Sequence, residues 1–232
     1  MSWTDRKSIE HIKKIRDIFN VSTLVETGTF KGMNVLAHKD NFELLYSCEK
    51  IKKYYEISEG KCINYGNIQL YNKDSKSFLK WFRDGIPQFN KNDKIIFYLD
   101  AHFYDKNLPK NKRFVVLDEL KQLKGLKNAI IIIHDFDNGL GHITYDGISL
   151  DMNLLRKDLL KVNPKFHFYT NELSSCDVIN SVDELYASRL KGYDKDRWDN
   201  LLYAWSKPEK TYRGLLYCVP KKIKIEGLRE IK

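Results

Sequence analysis

Glu26-Thr27-Gly28-Thr29-Phe30-Lys31-Gly32 follows a β-branched, mostly apolar run, Val21 to Glu26, and precedes a short apolar stretch to His38. The first run reads as a strand and the second as a helix, about Lys31 to His38. Glycines at positions 28 and 32 make the bend between them: Gly28 permits a close backbone approach to a ligand, and Gly32 eases entry into the helix. An acid stands before the first glycine, and the spacing is GxxxG rather than GxGxxG.

The same alternation continues on both sides. Upstream, Asp5 to Phe19 carries Ile9, Ile12, Ile15, Ile18 and Phe19 at helical spacing. Downstream, strands are expected at 42–48, 67–71, 94–100 and 129–133, with helices at 50–59, 75–82 and 114–123. Asp74 is a good N-cap for the second of these helices. Lys94 to Asp100 and Ala129 to Ile133 are nearly unbroken apolar runs, as parallel strands covered on both faces require. Five strand–helix alternations at short spacing predict right-handed crossovers and a parallel sheet. A helix at 152–161, a strand at 165–169, a helical insertion at 171–212, a strand at 213–219 and a basic tail from Pro220 complete the reading. The whole is expected to be one domain, with residues 1–20 a leading helix and 21–170 the α/β core.

Composition sets limits. The 232 residues are 42% hydrophobic, which fills a core, and 31% charged, which favours solubility. No apolar run approaches the roughly 20 residues of a membrane span. With no signal-peptide core at the start, the expectation is a cytoplasmic protein without a membrane partner. Cys48, Cys62, Cys176 and Cys218 match neither a CxxC pair nor a disulfide framework, so reduced structural thiols are expected. The net charge of +9 admits nucleic acid as a partner, although the lysines are spread along the chain among acids.

Ligands of open parallel sheets bind beyond the carboxyl ends of the strands. Those ends are Glu26 to Gly32, Glu49, Asp74 and Ser75, Asp100 to His102, and His134 to Phe136. Glu49 lies 21 residues after Gly28, where an acid ordinarily holds ribose hydroxyls. Dinucleotide and S-adenosylmethionine (SAM) sites share that arrangement. The GxxxG spacing and the preceding acid favour SAM, whose cationic sulfonium tolerates carboxylates better than a pyrophosphate does.

Val25 to Gly32 resembles motif I of class I SAM-dependent methyltransferases. The stretch is most similar to the macrocin O-methyltransferase and cephalosporin hydroxylase-like family. The resemblance runs through Tyr46-Ser47-Cys48-Glu49, Lys73-Asp74-Ser75, Tyr98 to Tyr104 and Ile132 to Phe136, over about residues 20–140. It implies a Rossmann-like seven-stranded sheet with helices on both faces, a helical insertion before the last strand, and that strand antiparallel. It further implies that Glu26, Thr27, Gly28, Thr29, Phe30, Lys31 and Gly32 line SAM, with Asp100 nearby. Glu49 would bind its ribose, and Asp74 and Ser75 its adenine. Asp100, Asp135 and His134 would hold a divalent metal, Mg or Mn. His102 stands where relatives often carry an acidic catalytic base, and His134 where they often carry the first of two aspartates. His102 suits proton removal from a sugar hydroxyl, whereas His134 is a departure that suits Mn²⁺, Fe²⁺ or Zn²⁺ better than Mg²⁺.

The expected activity is O-methylation of a hydroxyl on a sugar, glycan or other small molecule, with Asp100 and His102 at the reacting end. An RNA or DNA methyltransferase and a non-catalytic SAM-binding protein are the alternatives. A nicotinamide-dependent dehydrogenase is disfavoured by GxxxG. The glycine-bearing loop from Asp137 to Asp151 is expected to close over the acceptor. Tyr193, Trp198, Tyr203 and Trp205 in the insertion fit core or homodimer contacts.

Overall fold

The structure, a computed structural model, describes residues 6–86, 92–101, 107–109, 113–139, 147–172 and 214–231. In chain order these form α1 (Arg6–Phe19), β1 (Thr23–Thr27), α2 (Met33–Ala37), β2 (Leu44–Cys48), α3 (Lys52–Cys62), β3 (Ile68–Tyr71), α4 (Ser75–Gly85), β4 (Ile95–Leu99), α5 (Val116–Gln122), β5 (Ile130–Ile133), α6 (Met152–Val162), β6 (His167–Asn171), β7 (Leu216–Val219) and β8 (Leu228–Ile231). Every element expected over described residues is present, shifted by a few residues at its ends.

All strands join one sheet in the order β3-β2-β1-β4-β5-β7-β6-β8. β1 pairs in parallel with both β2 and β4, with Val25 opposite Tyr46 on one side and Phe97 on the other. The chain winds outward to β3 on one flank and to β5 on the other, so the winding reverses between β1 and β4. That seam is where an open sheet leaves a crevice at its carboxyl edge. β7 runs antiparallel between β5 and β6, as expected.

Alternation along the strands divides the core in two. Val25, Phe97, Ile131 and Cys218 point to the face covered by Phe78 and Phe82 of α4, Leu120 of α5 and Leu159 of α6. Their neighbours Leu24, Ile96, Ile130 and Tyr217 point to the face covered by Ile12 and Ile15 of α1 and Val35 of α2. Each face is a continuous apolar layer, as helices on both sides of a parallel sheet demand.

The expected basic tail is corrected by the structure. Lysines and isoleucines interleave there: Ile223 and Ile225 are buried while the lysines between and before them are exposed. The backbone N–H of Ile223 donates to the Tyr169 hydroxyl at 3.0 Å. A turn at Gly227 then leads into β8, an eighth strand antiparallel to β6. The insertion at 171–212, with its four aromatics, lies almost wholly outside the described residues, as does the middle, 140–146, of the loop expected to close over the acceptor. Among the described residues no helix is long and apolar enough to cross a membrane. Cys48, Cys62 and Cys218 are free and buried; Cys176 lies outside the described residues.

Candidate functional site

The bend after β1 is fixed from three sides. The N–H groups of Gly28 and Thr29 both donate to the Cys48 carbonyl of β2, at 2.9 and 3.0 Å. The Asp100 N–H donates to the Thr27 carbonyl at 3.1 Å. Gly28 has φ +81°, and a Cβ on it would lie 2.4 Å from the Asp100 carbonyl oxygen. Its glycine is therefore required by the chain leaving β4, beyond any approach of a ligand. Gly32, at φ +78°, sits against Ser58 of α3, where a Cβ would meet the serine Cβ at 3.2 Å.

Glu49, just past β2, holds the bend to the next loop. One carboxylate oxygen accepts from the Phe30 N–H at 2.9 Å, and the other from the Ile51 N–H at 2.7 Å. Around these groups lies a cleft of about 520 Å³, walled by Gly28, Phe30, Glu49, Asp74, Ser75 and Asp100. Residues expected at four separate strand ends thus meet around one space. Ile51 and Tyr54 also wall it, and the Tyr54 ring packs on Phe30 with centroids 4.4 Å apart. Sequence reading had placed Tyr54 only within the helix expected at 50–59.

Asp74 caps α4, accepting from the Ser77 N–H at 3.0 Å. Partial burial works against its charge, but the hydrogen bonds from Ser77 and the nearby Lys50 ammonium prevail and hold the carboxyl below its ordinary value.

The rest of motif I turns inward. Glu26 is 1% exposed and does not wall the cleft. It accepts from Asn34 of α2 at 2.8 Å and from the Ser47 hydroxyl, which also meets the Thr29 hydroxyl. Burial pushes its carboxyl up to about 7; the Ser47 and Asn34 bonds oppose that rise, and the charges of Asp100 and Glu49 add to it. Thr27 and Thr29 are buried as well. The Lys31 carbonyl accepts from Lys61 at 2.8 Å, and its ammonium stands 5.3 Å from the Phe30 ring centroid. Only Gly28 and Phe30 of the seven motif residues face the cleft. The supporting pair Ser47 and Asn34 was missed, although a serine inside the apolar run of β2 was a visible signal.

At the ends of β4 and β5 a second cluster forms. His134 Nδ1 is 3.2 Å from a carboxylate oxygen of Asp100 and 3.2 Å from one of Asp135. All three side chains are buried. Burial alone lowers the imidazole pKa, but the two carboxylates outweigh it and raise it to about 9. His134 is therefore an imidazolium at neutral pH, its Nδ1 proton shared between two acids. Among the described residues no group of three His, Cys, Asp or Glu side chains is arranged to hold a metal ion. The trio Asp100, His134 and Asp135 is brought together as expected, as an ion-paired triad. His102 lies outside the described residues.

No family model matches the sequence, and no curated protein matches it significantly. Solved structures do match the fold. An O-methyltransferase from Bacillus cereus, in complex with SAH, aligns over 94% of this chain and 83% of its own, with TM-score 0.55 and 13% identity. A putative caffeoyl-CoA O-methyltransferase from Staphylococcus aureus aligns over 94% and 85%, with TM-score 0.54 and 12% identity. The fold is the Rossmann-like methyltransferase fold. TomG of Streptomyces achromogenes, an O-methyltransferase solved with SAM, gives TM-score 0.53 at 11% identity over 94% of this chain and 81% of its own.

Proposed function

We propose that this chain is a SAM-dependent O-methyltransferase acting on a hydroxyl of a sugar, glycan or other small molecule. The observation that carries the reading is the cleft at the β1/β4 seam, where Gly28, Glu49, Asp74, Ser75 and Asp100 share one wall. Glu49 is held by two backbone N–H groups on opposite sides, so its outward lone pairs are fixed for two ribose hydroxyls. Phe30 and Tyr54 offer ring surface beside it, and Asp74 with Ser75 bounds the far end, where adenine fits. The cationic methionine end then lies toward Asp100.

Methyl transfer is an in-line displacement. The acceptor oxygen bonds to the methyl carbon, and the C–S pair returns to sulfur, leaving a neutral thioether. The acceptor proton passes to a base, for which His102 and Asp100 are the assigned groups. Most of the rate comes from holding sulfonium and hydroxyl in line. Asp100 and Asp135 both lie 3.2 Å from His134 Nδ1, which places acidic side chains at the cofactor's cationic end.

Calorimetric titration with SAH tests the cofactor half, with saturable binding by wild type and a clear loss in Glu49→Gln expected. Transfer of a labelled methyl group from SAM to hydroxyl acceptors tests the rest. Absence of SAH affinity would sink the reading; affinity without turnover on any acceptor would leave a binding protein instead.

A further inference from the structure

Behind the bend after β1 lies a buried polar network that the proposed function leaves unused. The Glu26 carboxylate accepts from the Asn34 side-chain amide of α2 at 2.8 Å and from the Ser47 hydroxyl of β2, and Ser47 meets the Thr29 hydroxyl. All four side chains are buried. Gly28 and Phe30, the chain neighbours of Thr29, wall the cofactor cleft, so the network backs that wall.

Two hydrogen bonds do not replace the water that a carboxylate loses at this depth. Burial raises the Glu26 carboxyl from 4.5 to about 7, against the Ser47 and Asn34 bonds. Asp100 and Glu49, which both wall the cleft, push it the same way as burial. Charges lining the cleft therefore reach Glu26 through the protein, where they are screened less than in water. A cation held in the cleft must act on it in the opposite sense and favour the carboxylate. The Cys48 and Cys62 thiols and the Tyr98 phenol also feel Glu26, but burial above all keeps these groups protonated well past neutral pH.

SAM and SAH differ by a methyl group and a positive charge. Their amino-acid and adenosine parts are the same, so a site that takes SAM and releases SAH has the charge to read. Resting on the methyltransferase reading above, we infer that Glu26 is a specificity-determining residue that tells SAM from SAH, favouring the sulfonium as a carboxylate and losing that preference as a neutral acid. SAM binding then expels the Glu26 proton to solvent. After methyl transfer the C–S pair is back on sulfur and the cation is gone, so Glu26 takes a proton from solvent again. The preference for SAM is weakest well below pH 7, where Glu26 is neutral, and full above it.

Calorimetric titrations of the full chain with SAM and with SAH, at about pH 5.5 and about pH 8, test this. The α-amino group titrates in both ligands and drops out of the affinity ratio. A preference for SAM over SAH that rises about fivefold between these pH values in wild type, and stays flat in Glu26→Gln, supports the inference. Titrations near pH 7 in two buffers of different ionisation enthalpy read the proton itself, which SAM should release and SAH should not. Ser47→Ala covers the case in which Glu26→Gln fails to fold: it removes a bond that favours the carboxylate, so the midpoint of the pH dependence should move upward. A wild-type ratio that does not change with pH, or the same pH dependence in Glu26→Gln, overturns the inference and leaves the methyltransferase reading standing. Failure of both ligands to bind at either pH overturns that reading, and this inference with it.

Discussion

The carboxyl edge of the sheet carries two kinds of electrostatics on either side of one seam. After β1, β2 and β3 the chain places Lys31, Lys50, Lys52, Lys53, Lys73 and Lys76; after β4, β5 and β6 it places Asp100, Asp135, Asp137, Asp151 and Glu172. Both halves contain acids, but the acids are used differently. Glu49 and Asp74 accept backbone N–H groups, and the Lys50 ammonium stands by Asp74. Asp100 and Asp135 both face the buried His134 ring at 3.2 Å. A cationic cofactor end suits the second half. Local hydrogen bonding, more than residue counts, decides which charge each half shows.

The largest effect should come from the acidic half. His134→Leu would leave two carboxylates buried side by side without their cation, at a cost of about 3–5 kcal/mol in urea unfolding at neutral pH. The folded pKa of about 9 lies above the ordinary value of 6.5. The contribution of His134 is thus fully present below pH 6.5 and lost as pH rises through 9. The gap between wild type and His134→Leu should narrow across that window; a gap constant in pH would contradict the imidazolium.

At the seam, Gly28→Ala should cost roughly 2–4 kcal/mol, from a positive φ and a clash with the Asp100 carbonyl. A midpoint of unfolding equal to wild type would show that the two halves are not locked there. In the basic half, Glu49→Gln removes a charged acceptor from two backbone N–H groups. SAH affinity should fall roughly 10–100-fold, from about 1.5–3 kcal/mol.

Glu26→Gln should act mainly through pH. The carboxyl titrates near 7 when folded against 4.5 ordinarily. Its favourable contribution is present below pH 4.5 and lost as pH rises through 7. The stability of the variant relative to wild type should therefore rise over that interval, read by thermal melts at several pH values. The smallest effect is expected for Asp74→Ala, about 1 kcal/mol from loss of the α4 cap.

The central parallel strands were legible because their apolar runs are dense and their turns are marked by glycine or acid. Convergence of Gly28, Glu49, Asp74, Ser75 and Asp100 followed from the rule for open sheets. What each residue does there was less legible. Gly28 answers to the Asp100 carbonyl, which lies 72 positions away in the chain, and no local pattern records that. Glu26 faces inward because Ser47 and Asn34 are there to receive it, a fact of pairing between β1 and β2. A histidine between two acids has the composition of a ligand set, and here the three side chains form an ion-paired triad. β8 was hidden because Leu228-Arg229-Glu230-Ile231 is short, half-exposed and preceded by lysines.

The position of β7 between β5 and β6 imposes an order on assembly. β6 is made early, yet its hydrogen-bonding partners on both sides come from the last stretch of the described chain. During synthesis the five parallel strands can gather first, while β6 waits with two unsatisfied edges. Such edges invite pairing with other chains. The α1 residue His11, whose ring meets the Glu226 carbonyl at 3.2 Å, joins α1 to the turn before β8 only once that turn has been made. A nascent chain stalled just before β7 should therefore aggregate more readily than one stalled after β5.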